Sequence, residues 1–188
     1  MSPVFKMSGG TYYVNMLAGY VKPFGGDFYN IATATSAGTA TTYTFSSIPQ
    51  DFKHLEIRAR VLQSGGTGYS NITFNGDTGA NYSFNRSGQT NAAIASNSVT
   101  NTSIPTAYSV DPTTYPSYAV IRILNFRDTS RYKNLLIKTG VAAGSQAASM
   151  AQYSTGQWRN TAAVTSITIT TDGSSWAANS QFALYGEY

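Results

Sequence analysis

Apolar and polar residues alternate along much of this chain, and the period is two. In His54–Leu62, H-L-E-I-R-A-R-V-L, Leu55, Ile57, Ala59 and Val61 fall on one side and Glu56, Arg58 and Arg60 on the other. That is the period of an extended strand with one buried face. Lys133–Val141 alternates in the same way through Leu135 and Ile137. Tyr118–Phe126, Y-A-V-I-R-I-L-N-F, is almost continuously apolar and predicts a strand with both faces partly covered. Val164–Thr170 is a β-branched run, Gln181–Tyr185 is a second apolar run, and Asp172–Gly173 opens the turn segment between them. Two such runs about a Gly/Ser segment mark strands rather than helices.

Shorter extended segments are expected at Tyr43–Phe45, stopped by Ile48–Pro49, and at Asn71–Asn75, Tyr82–Phe84 and Gln152–Trp158. Asn75–Gly76–Asp77 predicts a tight hairpin turn of the Asn-Gly type. Ser87–Ser103 reads as a long loop or a pair of weak strands. Pro105, Pro112 and Pro116 break up the next stretch, and Ala142–Ala151 is ambiguous. The count is roughly eight to ten short strands with no helical pattern. That predicts an all-β chain, an antiparallel β-sandwich of jelly-roll type with an N-terminal arm. No internal repeat points to a propeller or solenoid. Trp158, at the start of the closing strands, is expected to anchor the core.

Residues 1–40 differ from the sandwich region, 41–188. Gly9–Gly10 and Gly25–Gly26 bracket Thr11–Pro23, which holds Tyr12, Tyr13, Val14, Met16, Leu17, Tyr20 and Val21, and Ala32–Thr42 is small and polar. This reads as an arm and connector whose apolar groups need another surface, either the main body or a neighbouring subunit. A first hairpin of the main domain is the other reading. Tyr12, Tyr13, Tyr20 and Phe24 are the candidate anchors for a partner.

Composition narrows the function. Charged residues are 11% of the chain, against about 25% in an average soluble domain. Ser, Thr, Asn, Gly and Tyr fill the deficit, which suits surfaces that a partner covers, where a desolvated charge is costly. The net charge is +4. Arg122, Arg127, Arg131 and Lys133 are the nearest thing to a basic cluster; a strand end plus a loop accounts for them, and nucleic acid is not expected as a partner. The absence of cysteine rules out disulfides and thiolate metal sites. The first ten residues lack the pattern of a signal peptide, and no apolar run reaches the ~18 residues of a membrane span.

Candidate chemistry is sparse. Asp77-Thr78-Gly79 matches the tripeptide of aspartic proteases. It occurs once and follows a turn, so Asp77 is expected to hydrogen-bond its own backbone. His54 is the one histidine, and a structural hydrogen bond at a strand start is its expected role. A calcium site from Asn75, Asp77 and Asn81 lacks the usual carboxylate density. No pair among the eight acids can be argued to converge for glycoside hydrolysis. The expectation is a protein that is not an enzyme, with no cofactor and no metal. The fourteen Tyr with Trp158 and Trp176 suit core and subunit contacts, or else a sugar-stacking platform.

Four segments carry a resemblance. Phe45-Ser-Ser-Ile-Pro-Gln-Asp-Phe-Lys-His-Leu-Glu-Ile-Arg, Ile72-Thr-Phe-Asn-Gly-Asp-Thr-Gly-Ala-Asn-Tyr-Ser, Trp158-Arg-Asn-Thr-Ala-Ala-Val-Thr-Ser-Ile-Thr-Ile and Ser180-Gln-Phe-Ala-Leu-Tyr-Gly resemble the strand ends and turns of a β-sandwich family of tailed-bacteriophage virion proteins. The resemblance spans residues 43–188 and leaves out the first forty. It implies a jelly-roll-like, usually homotrimeric virion component, made in the host cytoplasm and placed on the capsid or tail. A capsid decoration (cement) protein contacting the major capsid protein is the leading expectation. A tail or fibre component that binds a host surface glycan through exposed aromatics is the alternative.

Overall fold

The computed structural model describes residues 28–65, 67–89, 95–109, 114–144 and 149–188, together with the backbone of three short segments, 4–7, 10–15 and 20–23. The described residues are mostly strand, and there is no helix among them. The first strands are β1 (Val4–Met7), β2 (Gly10–Asn15), β3 (Tyr20–Pro23), β4 (Phe28–Thr35) and β5 (Thr42–Phe45). Next come β6 (His54–Val61), β7 (Gly68–Phe74), β8 (Tyr82–Gln89), β9 (Ala95–Asn101) and β10 (Ile104–Ser109). The last are β11 (Ser117–Leu124), β12 (Lys133–Val141), β13 (Met150–Trp158), β14 (Ile167–Thr171) and β15 (Gln181–Glu187).

Hydrogen bonding sorts these into antiparallel sheets. One has eight strands in the order β4-β15-β6-β11-β12-β13-β8-β9, and one has four in the order β10-β7-β14-β5. β1, β2 and β3 pair among themselves. Inward residues of the two large sheets form a single core. Ile57, Ile121 and Ile137 lie in register across β6, β11 and β12. They are buried in one cluster with Ile72, Phe74, Ile104 and Ile167 of the four-stranded sheet. Each such side chain contributes about 1.5–3 kcal/mol on burial, so the period-two pattern is what drives the sheets together. A second part of the cluster is aromatic: Trp176 stacks on Tyr43 at 5.2 Å and meets Phe182 at 4.8 Å.

The pairing is nested. β8 pairs with β9, β7 with β10, β6 with β11 and β5 with β14. Each pair encloses the previous one in sequence, and successive pairs lie alternately in the eight- and four-stranded sheets. β12 and β13 are inserted between β11 and β8, and β15 and β4 extend the sheet beyond β6. β4 lies on the arm side of a boundary at residue 40, yet it pairs along its length with the closing strand β15.

Local readings that differ from the structure do so for clear reasons. Fifteen strands occur among the described residues rather than eight to ten. The Ser87–Ser103 stretch holds the end of β8 and its partner β9, in keeping with the strand-pair reading, whereas Pro105 sits within β10, at the sheet edge beside a bulge, where a missing N–H costs little. The Asn-Gly reversal forms, with φ of 52° at Asn75 and 68° at Gly76, both positive as a type I′ turn requires. It is a corner, though, and not a hairpin: β7 and β8 leave it for different sheets. In β11 the inner face is buried, and on the outer face Val120 and Arg122 are half-buried while Tyr118 and Leu124 are exposed.

Candidate functional site

The residues with catalytic precedent hold the fold together. Asp77 Oδ2 accepts the indole N–H of Trp158 at 2.7 Å, Oδ1 accepts the Gly79 N–H at 2.9 Å, and Asn81 Nδ2 donates to both oxygens. Tyr82 is buried beneath them. Its hydroxyl donates to Asp77 O at 2.9 Å and accepts from Phe74 N at 3.0 Å, and burial pushes its pKa up to about 12. Asp77 thus locks the corner between the two sheets. Asn75 points elsewhere, accepting from the Thr165 and Ser166 amides and donating to Ala163 O. The conceivable calcium trio therefore does not converge, and no group of three potential metal ligands occurs among the described residues.

Burial raises the Asp77 pKa, but the hydrogen bonds from Trp158, Gly79 and Asn81 outweigh it and hold the carboxyl below 3.8. The unfolded chain therefore takes up the proton first as pH falls. The stabilisation is complete above 3.8 and is lost as pH drops through the native pKa. Asp77→Ala, which strands a buried indole N–H, is expected to cost about 1–3 kcal/mol at neutral pH. In urea titrations the gap from wild type should narrow in acid; a gap that stays constant with pH would disprove this account of the carboxylate.

His54 Nδ1 accepts the Asn125 amide at 3.0 Å. Burial lowers its pKa, against the pull of Glu187. The basic residues 122–133 do not form a stripe. Lys133 is 0% exposed, and Arg122 lies on the sheet surface. Arg127 and Arg131 line an open groove of ≈ 1030 Å³ with Asp51, Lys53, Asp128 and Tyr188. Arg127 donates to Gln50 O at 2.6 Å, and Arg131 lies 3.7 Å from Asp128, so this groove carries both signs of charge.

Among the described residues, what remains open is the outer face of the eight-stranded sheet. Its outward residues form cross-strand rows. One row runs Tyr185, Glu56, Arg122, Leu136, Thr155, the next Ala183, Arg58, Val120, Lys138, Tyr153, and the next Gln181, Arg60, Tyr118, Gly140, Ala151. At one side charge is neutralised internally. Glu56 is buried under Arg58, 2.8 Å away, and Arg122, 3.8 Å away. Arg122 also binds Glu187. The Arg58 guanidinium lies over the rings of Phe28 and Tyr185 at 5.0 and 4.9 Å. Toward the middle the face is apolar and exposed: Tyr118 57%, Tyr153 60%, Leu124 39% and Leu136 38%. Exposed Tyr and Leu in adjacent rows are the composition of a contact surface.

The tryptophans do not belong to this surface. Trp158 and Trp176 are both buried, so of the residues considered for a sugar platform only tyrosines face solvent. Tyr12 and Tyr13 fall on β2 and Tyr20 on β3; their side chains, and Phe24 altogether, lie outside the described residues. The exposed sheet face escaped sequence reasoning because an apolar run looks the same whether both its faces are packed or one awaits a partner. Comparison with known families, characterised proteins and solved structures finds no match for the chain.

Proposed function

We propose that this chain is a non-enzymatic structural protein of a bacteriophage virion, built as a jelly-roll-like sandwich and acting as a capsid decoration (cement) protein. The observation that carries the reading is the nesting of β5–β14, β6–β11, β7–β10 and β8–β9 in alternate sheets. Such nesting supports a double-sheet jelly-roll plan, an architecture that viral capsid domains use. The resemblance of residues 43–188 to virion sandwiches points the same way. Three copies on a shell would bind with an avidity no single contact provides. Residues ahead of β4 serve as the docking arm in this reading.

The test uses the intact protein and a version lacking residues 1–27, which spares β4. Each is expected to scatter light as three copies of its own chain, which for the intact form is 20.1 kDa. Only the intact form should co-sediment with virus particles from which the protein has been removed. If the intact protein fails to join such particles, the proposal falls. If the shortened form joins them equally well, the arm is not the attachment.

A further inference from the structure

Gly140 stands out among the strand glycines. At Gly88 an added Cβ would lie 2.6 Å from Ala151 O, at Gly156 2.9 Å from Ile104, and at Gly186 it would enter the Phe52 ring. Those positions require glycine because of their own neighbours. At Gly140 the nearest atom would be Met150 O at 3.6 Å, an ordinary contact, and its φ is not among the positive values. The fold has room for a side chain there. Glycine inside a strand weakens it, and one that no internal packing requires marks close approach by something else.

The neighbourhood of Gly140 says what could approach. Tyr118 is beside it on β11, and Tyr153 is one row away on β13. These are the most exposed large apolar side chains described, and their strands lie about 10 Å apart. A cross-strand tyrosine can shield a glycine, yet Tyr118 leaves more than half its surface to water. Lys138 lies on the same side, its ammonium 5.7 Å from the Tyr153 ring. Arg60 lies in the Gly140 row beyond Tyr118, where it donates to Asn179 O at 3.1 Å. Neither of the rows holding Gly140 and Lys138 contains an acid, and Glu56 and Glu187 are tied to Arg58 and Arg122 on the far side.

We propose that Gly140 is the floor of a binding site for an acidic saccharide, walled by Tyr118 and Tyr153, with Lys138 facing the sugar carboxylate. A pyranose ring presents an apolar face to tyrosine and a polar rim to the Lys138 ammonium, and glycine lets the ring settle onto the strand backbone. This inference goes beyond the virion assignment and does not rest on it.

The full-length protein would be passed over a printed array of acidic and neutral glycans, beside Gly140→Val, Tyr153→Ala and Lys138→Ala. Uronate- or sialate-bearing glycans should be retained. Gly140→Val should lose at least tenfold in retention while its melting temperature holds or rises. Lys138→Ala should lose the preference for acidic over neutral glycans. Failure of the wild type to retain any glycan would overturn the proposal. So would full retention by both Gly140→Val and Tyr153→Ala. A change of solution mass in Gly140→Val, with retention intact, would make this face a contact between copies of the chain instead.

Discussion

Trp158→Ala is expected to lower the unfolding free energy by about 3–5 kcal/mol, the cost of emptying a large aromatic site in a packed core. Trp158 ends β13 with 1% of its surface exposed. Its ring meets Phe74 at 5.4 Å and stands opposite Tyr82 on β8 and Lys133 on β12. The residue therefore joins the four-stranded sheet, the corner at Asp77 and two strands of the eight-stranded sheet. Its indole N–H also holds Asp77. Trp158→Phe keeps most of the packing and loses only that bond, and should cost about 1–3 kcal/mol. Urea unfolding of both variants checks the ranking. A loss under about 1 kcal/mol for the alanine variant would mean a surface tryptophan, contrary to the burial.

Lys133→Met should also be damaging, at about 1–3 kcal/mol for the buried carbonyls left without a donor. The parity of β12 turns position 133 inward, and the ammonium is held by three backbone carbonyls, of Asp128, Arg131 at 2.8 Å and Thr161 at 3.1 Å. Methionine can replace the stem but donates nothing, so three acceptors lose a charged donor. The loops that supply those carbonyls should loosen first. Hydrogen exchange over residues 125–131 should rise in the variant before global stability is reached. Unchanged exchange there, with wild-type urea midpoints, would show that the lysine does not organise the loops.

The two variants differ in how far sequence alone could anticipate them. A tryptophan opening a run of strand-like residues reads as a core residue, because a large ring is stabilised mainly by burial. Lys133 reads as a solvated strand end or part of a basic cluster, because a lysine is almost never fully buried unless paired. Its partners are backbone atoms of loops at 128, 131 and 161, and no residue type in the sequence announces them. Asp77 falls between these cases. Its bond to the Gly79 amide is local and predictable from the turn, whereas its bond to Trp158 spans 81 residues.

The same division runs through the fold and the site. Alternation in β6 and β12 and the β-branched run that becomes β14 establish that this is a strand protein, and which side of each strand is apolar. That information is local, since neighbouring side chains must point to opposite faces. Partner choice is not local: the nested pairs, the insertion of β12 and β13, and the return of β4 to β15 depend on registers between distant segments. Only that long-range pairing decides which outward rows another layer covers and which stay bare. It buries Glu56 under two arginines and leaves Tyr118, Gly140 and Tyr153 open on one sheet face. The sequence determines which residues can be buried; the tertiary structure alone decides which apolar ones are left for a partner, because exposure depends on what packs across each face.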